Sequence, residues 1–265
     1  MKPLLIALGF AVSGLVYGQV LTDGDEIVAQ ANLAAYYAGK DSRSEARMII
    51  IDARGREQRR QFTVLRRNLE AGGDQQFLVS FSRPSDVRGT VYLVNKHVGR
   101  DDDRWLYLPG LDLVKRISAG DERTSFVGAH YFYEDVSGRG PAEDTHELIA
   151  TTDQHYVLKH VPKNPAQVEF VSYVTWIDRQ TFLANRIEYT NTSGKLYRRV
   201  EALETREIDG YPTVVSSRTS DLTNGGYTDM RFRYIAYDLG MPAAVFTQRS
   251  LRNPPRQWLK RPDAE

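Results

Sequence analysis

The stretch SFVGAHYFYEDVSG, residues 125–138, sets one histidine among Phe126, Tyr131, Phe132 and Tyr133 and then reaches Glu134-Asp135. An imidazole near carboxylates is the material of general acid–base catalysis or of a metal site. His130 and Glu134 would meet on a helical turn, because residues four apart share a face. A metal needs a third ligand of known proximity, and none is legible, so no metal is expected. The commoner state of such a histidine is on a surface or a rim. Glu134 and Asp135 are then expected to accept from backbone donors or to pair with a nearby arginine such as Arg123 or Arg139.

The other histidines offer no better chemistry. His155 and His160 are five apart in a predicted strand and point to opposite faces. His146 adjoins Glu147, with the same difficulty. There is no G-x-S-x-G elbow, no phosphate-binding glycine loop and no H-E-x-x-H. Asp101–Asp103 lack the glycine and distal glutamate of an EF-hand calcium loop. They sit between VYLVNKHV and RWLYLP, which fits a solvated hairpin turn. Neither a catalytic set nor a cofactor is expected.

The elements that would position these residues are mostly strands. One helix is clear, in DGDEIVAQANLAAYYAG. Asp23 caps it, Asp25 and Glu26 favour its dipole, Gly39 stops it, and Ile27, Ala31 and Ala34 form a stripe. After it the period is two. Phe77, Val79 and Phe81 share a face in QFLVSFS, and Met230, Phe232, Tyr234 and Ala236 alternate with polar residues in DMRFRYIAYD. FVSYVTWI is apolar on both faces. Turn signals separate the runs: Arg54-Gly55, Gly72-Gly73, Ser193-Gly194, Asp209-Gly210 and Asn224-Gly225-Gly226. This is the pattern of an antiparallel sheet, with no room for parallel crossovers. The segment from Leu108 to Pro141 departs from it: alternation fades and aromatics cluster.

MKPLLIALGFAVSGLVYGQV reads as a secretory leader with Val16 and Gly18 at the −3 and −1 sites, cleaved before Gln19. The chain has no cysteine, so it cannot be lipidated there and must be stabilised by its core. The expected organisation is a signal peptide over residues 1–18, a single domain over 19–251 and an extended Pro/Arg-rich tail over 252–265. Basic and acidic residues number 35 and 34, and losing Lys2 with the leader balances them. A neutral chain gives no electrostatic case for nucleic acid.

Aromatics in strands are usually plain core. A single curved antiparallel sheet, however, has a concave side that one helix cannot fully cover, and a partly covered apolar concavity is a ligand site by default. Tyrosines suit its mouth, with an apolar body and a polar tip.

Several blocks then coincide in order: the leader, DEIVAQANLAAY, FLVSFSRPSDVRGTVYLV, DDDRWLYLPGLDLVKRI, SFVGAHYFYED and a meander starting VTWIDRQTFLANRIEYTNTSGKLYR. Together they resemble the outer-membrane lipoprotein-sorting protein family of the LolA-like superfamily, in its longer branch found beside exporters of the RND/MMPL type. The resemblance covers essentially the whole chain after the leader. It implies a mainly β fold with a few helices (α+β): a strongly curved antiparallel sheet forming an unclosed β-barrel with a helical lid. It also implies a periplasmic, non-enzymatic protein whose apolar interior takes acyl chains. No catalytic set is carried over. Arg47 and Arg67, on early strands, are the candidates for the functional arginine of true LolA proteins.

On this reading the apolar lining is Phe77, Val79, Phe81, Val91, Leu93, Trp105, Tyr107, Phe170, Val174 and Trp176. The last three are grouped because they share a strand parity. Ile27, Ala31 and Ala34 of the helix, with Phe126, Tyr131, Phe132 and Tyr133, form the lid and rim. Burying an acyl chain gains about 0.8 kcal/mol per methylene, so a cleft can compete with a bilayer. The expected partners are a lipid or acylated cargo, an RND/MMPL-type inner-membrane exporter and a transiently contacted membrane. The rival readings are a periplasmic sensor or regulator of lipid or lipoprotein signals, a hydrolase built on His130, and a structural envelope protein.

Overall fold

The computed structural model describes residues 20–260. The expected leader and the last five residues of the tail lie outside them. Helix α1 (Gly24–Tyr36) starts where expected, with the Asp23 carboxylate accepting from the Asp25 amide at 2.8 Å. Six strands follow: β1 (Asp41–Ile51), β2 (Glu57–Asn68), β3 (Gln75–Arg83), β4 (Val91–Lys96), β5 (Asp103–Leu108) and β6 (Leu113–Ile117). Beyond a crossing segment come β7 (Asp144–Thr151), β8 (His155–Pro162), β9 (Phe170–Asp178) and β10 (Ala184–Asn191). The series ends with β11 (Leu196–Ile208), β12 (Tyr211–Asp221) and β13 (Tyr227–Tyr237).

All thirteen strands join one antiparallel sheet in the order β6-β5-β4-β3-β2-β1-β13-β12-β11-β10-β9-β8-β7. The chain meanders outward along one flank, crosses over, and meanders back until β13 pairs with β1. The free edges are β6 and β7, which are consecutive in the chain, so the barrel is not closed. Residues 118–143 run from one edge to the other and carry the short helix α2 (Tyr133–Ser137). The five turn dipeptides all fall between paired strands. At Asp209-Gly210 both residues have positive φ, 51° and 80°, as a two-residue hairpin of right-handed twist requires.

The register separates two faces. The inner one, covered by α1 and the crossing segment, carries Met48, Phe62, Phe77, Val79, Phe81, Tyr92 and Val94. The outer one carries Leu65, Leu78, Val91 and Leu93, and it is covered by residues 241–259 with helices α3 (Arg249–Arg252) and α4 (Arg256–Leu259). The tail, expected to be extended from residue 252, is docked as far as it is described and turns helical again at Arg256–Leu259. Arg43, 2% exposed, donates to the carbonyls of Trp258 and Leu259, each at 3.1 Å, and Trp258 packs on the apolar patch beneath. Among the described residues no helix is long and apolar enough to cross a membrane.

Candidate functional site: the covered inner face

The crossing segment reaches the inner face from β6. It is a connection rather than a strand, and its isolated antiparallel bridge, Ser125 to Phe132, is internal to it. Its Phe126 is 1% exposed and wedges among Phe62, Phe81, Tyr92 and Tyr133, with ring centroids 5.4–6.2 Å away. Phe126 and Tyr133 were expected at a rim. They are instead the centre of a plug, because the segment dips into the sheet's concavity instead of arching over it. Tyr131 reaches Ser217 of β12 at 2.8 Å, and Phe132 lies between the guanidiniums of Arg123 and Arg198, at 5.0 and 4.4 Å.

The lining set divides. Phe77, Val79 and Phe81 lie together on the inner face, as their alternation suggested. Val91, Leu93, Trp105 and Tyr107 do not join them; they face outward under the C-terminal segment. Strand β4 is buried on both sides, so Tyr92 and Val94 point inward from positions of the opposite parity. Phe170 is also separated from Val174 and Trp176. A register shift at Val171 pairs Phe170 with Asn191 while Ser172 pairs with Thr190. That bulge turns Phe170 to the side of Tyr173 and Tyr189 and leaves Val174 and Trp176 on the other face. Trp176 there stacks under Arg186, 4.4 Å from its ring. In β13 the same cause undoes Tyr234: a shift opposite Arg43–Glu45, with Tyr234 at φ 49°, leaves that tyrosine 49% exposed.

The lid helix α1 packs Ile27 and Val28 on Tyr156, Leu158 and Ile177 of β8 and β9, with Ala31 at the edge of that cluster and Ala34 half-buried. Its far end crosses to the opposite flank. There the Tyr36 carbonyl accepts from Arg66 and, at 2.7 Å, from Gln75. Gly138 of the crossing segment lies so close to the Tyr36 ring that any β-carbon would overlap it.

The half of the inner face toward β7–β11 is ionic. Glu134, 4% exposed, accepts from Arg123 and, at 3.0 Å, from Arg139. Arg123 continues to Glu169 at 2.7 Å and Arg139 to Asp144 at 2.9 Å. Asp135 takes the Phe132 amide and the buried Arg198. The expected arginine partners of Glu134 are therefore present. His130 is apart from this set: its Nδ1 and its backbone amide both meet the Thr228 hydroxyl, at 2.8 and 3.0 Å. No hydrogen bond joins His130 to Glu134, so the acid–base pair expected from their spacing does not form. The carboxylates of Glu122, Glu134 and Glu143 approach within 4.8 Å of one another. Arg104, Arg123 and Arg139 already occupy them, which is ion pairing and not a cation site.

Burial, opposed by Arg104 and reinforced by Glu134 and Glu143, pushes the Glu122 carboxyl from 4.5 up to about 7. A raised carboxyl binds its proton more tightly in the folded chain. Its contribution to stability is whole below about pH 4.5 and lost as pH rises through about 7. Denaturant titrations across pH 5 to pH 8 are expected to show this decline, and Glu122→Gln to flatten it; an unchanged slope in the variant would refute the assignment.

Two features were missed in the sequence. Arg198, with Nε and Nη1 buried and unpartnered, sits under Phe132 and Tyr189, and nothing in its strand's alternation marks it. His146 and His160 face each other across β7 and β8, Nδ1 to Nδ1 at 2.7 Å. A register shift after Leu148 brings them opposite, which spacing alone does not reveal. Burial, then His146, drives His160 down to about 3, so it stays neutral in the fold.

The model of the DUF1329 family, described as an uncharacterized protein, matches residues 73–253. The chain belongs to this family. A DUF1329 family protein from Desulfovibrio piger is 29% identical over 86% of this chain and 97% of its own, with a TM-score of 0.79. A putative outer membrane lipoprotein-sorting protein domain from Vibrio parahaemolyticus is 24% identical over 87% and 98%, also at 0.79. A LolA superfamily protein from Nitrosomonas europaea is 17% identical over 87% and 99%, at 0.66. The last two establish the fold, which is LolA-like. Comparison with curated proteins returns no match.

Proposed function

We propose that the protein is a periplasmic, non-enzymatic carrier that shelters the acyl chains of a lipid, a lipoprotein or another hydrophobic cargo on its inner face, working with an RND/MMPL-type exporter. One observation carries this. The apolar half of the concavity is filled by a connection, through Phe126 and Tyr133, while its walls Phe62, Phe81 and Tyr92 belong to paired strands. A connection can leave such a site without breaking the sheet, and an acyl chain can take its place at about 0.8 kcal/mol per methylene buried. The LolA-like fold and the lipoprotein-sorting relative support the same reading.

The test is direct. Protein purified from the periplasm under mild conditions is extracted with organic solvent and the extract is weighed by mass spectrometry. Stoichiometric lipid is the expected result. No lipid, together with no binding of fluorescent fatty acids, would end the proposal.

A further inference from the structure

On the outer face, beside the docked C-terminal segment, β1, β2, β3 and β13 leave a groove of ≈ 480 Å³. Four exposed arginines line it: Arg47, Arg83, Arg231 and Arg233. The register explains the crowding. Arg47 stands directly opposite Arg231 on one side and Gln61 on the other, and Gln61 stands opposite Arg83. One row across four strands therefore carries three guanidiniums. Among the described residues no side-chain hydrogen bond or ion pair reaches any of the four. The groove's carboxylate, Glu45, is engaged by Arg43 at 2.9 Å.

Like charges directly opposite one another weaken a sheet. Arg123, Arg139 and Arg218 pair with acids, and the net charge of the chain is only +1, so three unpaired guanidiniums in one row are a local excess. We propose that the groove is the face by which the protein docks on an anionic bilayer, its arginines taking lipid headgroup phosphates. The guanidinium fork matches phosphate oxygens two at a time. The row spreads over about 14 Å across the strands, at ~4.8 Å per strand, and Arg233, two residues along β13 from Arg231, stands outside it, so the four present a patch and not a line. Tyr234, 49% exposed, and Leu259 give the patch an amphipathic rim suited to a membrane interface. A two-dimensional patch with such a rim favours a membrane surface over an extended acidic peptide.

This deepens the carrier reading but uses a different face, so vesicle docking and cargo extraction succeed or fail separately. The protein is sedimented with phosphatidylcholine vesicles with and without phosphatidylglycerol. Binding is expected to need phosphatidylglycerol and to fall with salt. Arg47→Gln/Arg231→Gln should weaken it by about tenfold or more. Lys115→Gln/Lys195→Gln removes the same charge from exposed sites elsewhere and should leave it unchanged. The arginine variant should melt no lower than the wild type, because a repulsive pair has been removed. Equal binding to both vesicle types, or equal loss in both variants, would overturn the proposal. So would capture of soluble polyglutamate without any vesicle binding, which would assign the groove to an acidic protein.

Discussion

Replacing Glu134 with alanine lowers the stability of the protein by about 3–5 kcal/mol, the cost of removing one partner from a buried ion pair. The reason is what is left behind. Arg123 and Arg139 have side chains 6% and 12% exposed and both turn toward this one carboxylate. Without it Arg123 keeps Glu169, which is 42% exposed, and Arg139 keeps Asp144 and Glu143. Two guanidiniums then stay in the interior with less than their share of negative charge. In a chain of this size the loss corresponds to a fall in melting temperature of about 6–20 °C. Glu134→Gln should cost less, since the amide oxygen still accepts one bond. Thermal and denaturant unfolding measure both variants. An alanine variant within about 1 kcal/mol of the wild type would mean that water reaches the two arginines, and that the network does not fasten the crossing segment.

That fastening is uneven. The return leg of the crossing segment is held by charge: Glu134 by Arg123 and Arg139, Asp135 by Arg198. Lys96 adds two bonds to the end of α2, at 2.7 and 3.1 Å to the carbonyls of Ser137 and Gly138. The outgoing leg is pinned at Glu122 to Arg104, at Arg123 to Glu169 and at His130 to Thr228, but between these points the short stretch around Phe126 and Ala129 is held by apolar contact. Polar bonds are directional and fail abruptly, whereas apolar contact can be exchanged for other apolar contact at little cost. The part that can yield to a greasy ligand is therefore the short stretch carrying Phe126, between those polar anchors.

How much of this was legible depends on which interactions are local. Strand β3 was readable because Phe77, Val79 and Phe81 alternate with no interruption. Val91 and Leu93 were not, because β4 is buried on both faces and a strand apolar at every position carries no parity signal. Phe170 was misplaced by one extra residue: the bulge at Val171 reverses every parity argument made across it. The unclosed sheet followed from turn dipeptides and short spacings, which are local. The pairings of Arg198 with Asp135 and of Arg123 with Glu169 join residues 63 and 46 positions apart, and only the finished fold brings them together. Phe126 was seen as an aromatic of an irregular stretch; whether such a residue rims a cavity or fills it is set by where the stretch dips.

Phe126→Ala is expected to produce opposite changes in two measurements. Truncating a fully buried phenylalanine costs about 3–5 kcal/mol and leaves a cavity where the ring stood. The four rings that touched it would then line apolar space on the inner face. If that face receives acyl chains, the variant is already partly open. It should bind a fluorescent fatty acid more tightly than the wild type and be stabilised more by saturating ligand, by about 2.7 kcal/mol at a hundred times Kd. Leu78→Ala is the control. Leu78 is equally buried, its loss costs a comparable ~2–5 kcal/mol, but its cavity lies on the outer face under the C-terminal segment. It should lose stability and gain no binding. Both variants gaining affinity alike would show that general loosening admits the probe. Neither gaining would show that Phe126 is ordinary core, that the crossing segment does not yield, and that the inner face is not where cargo sits.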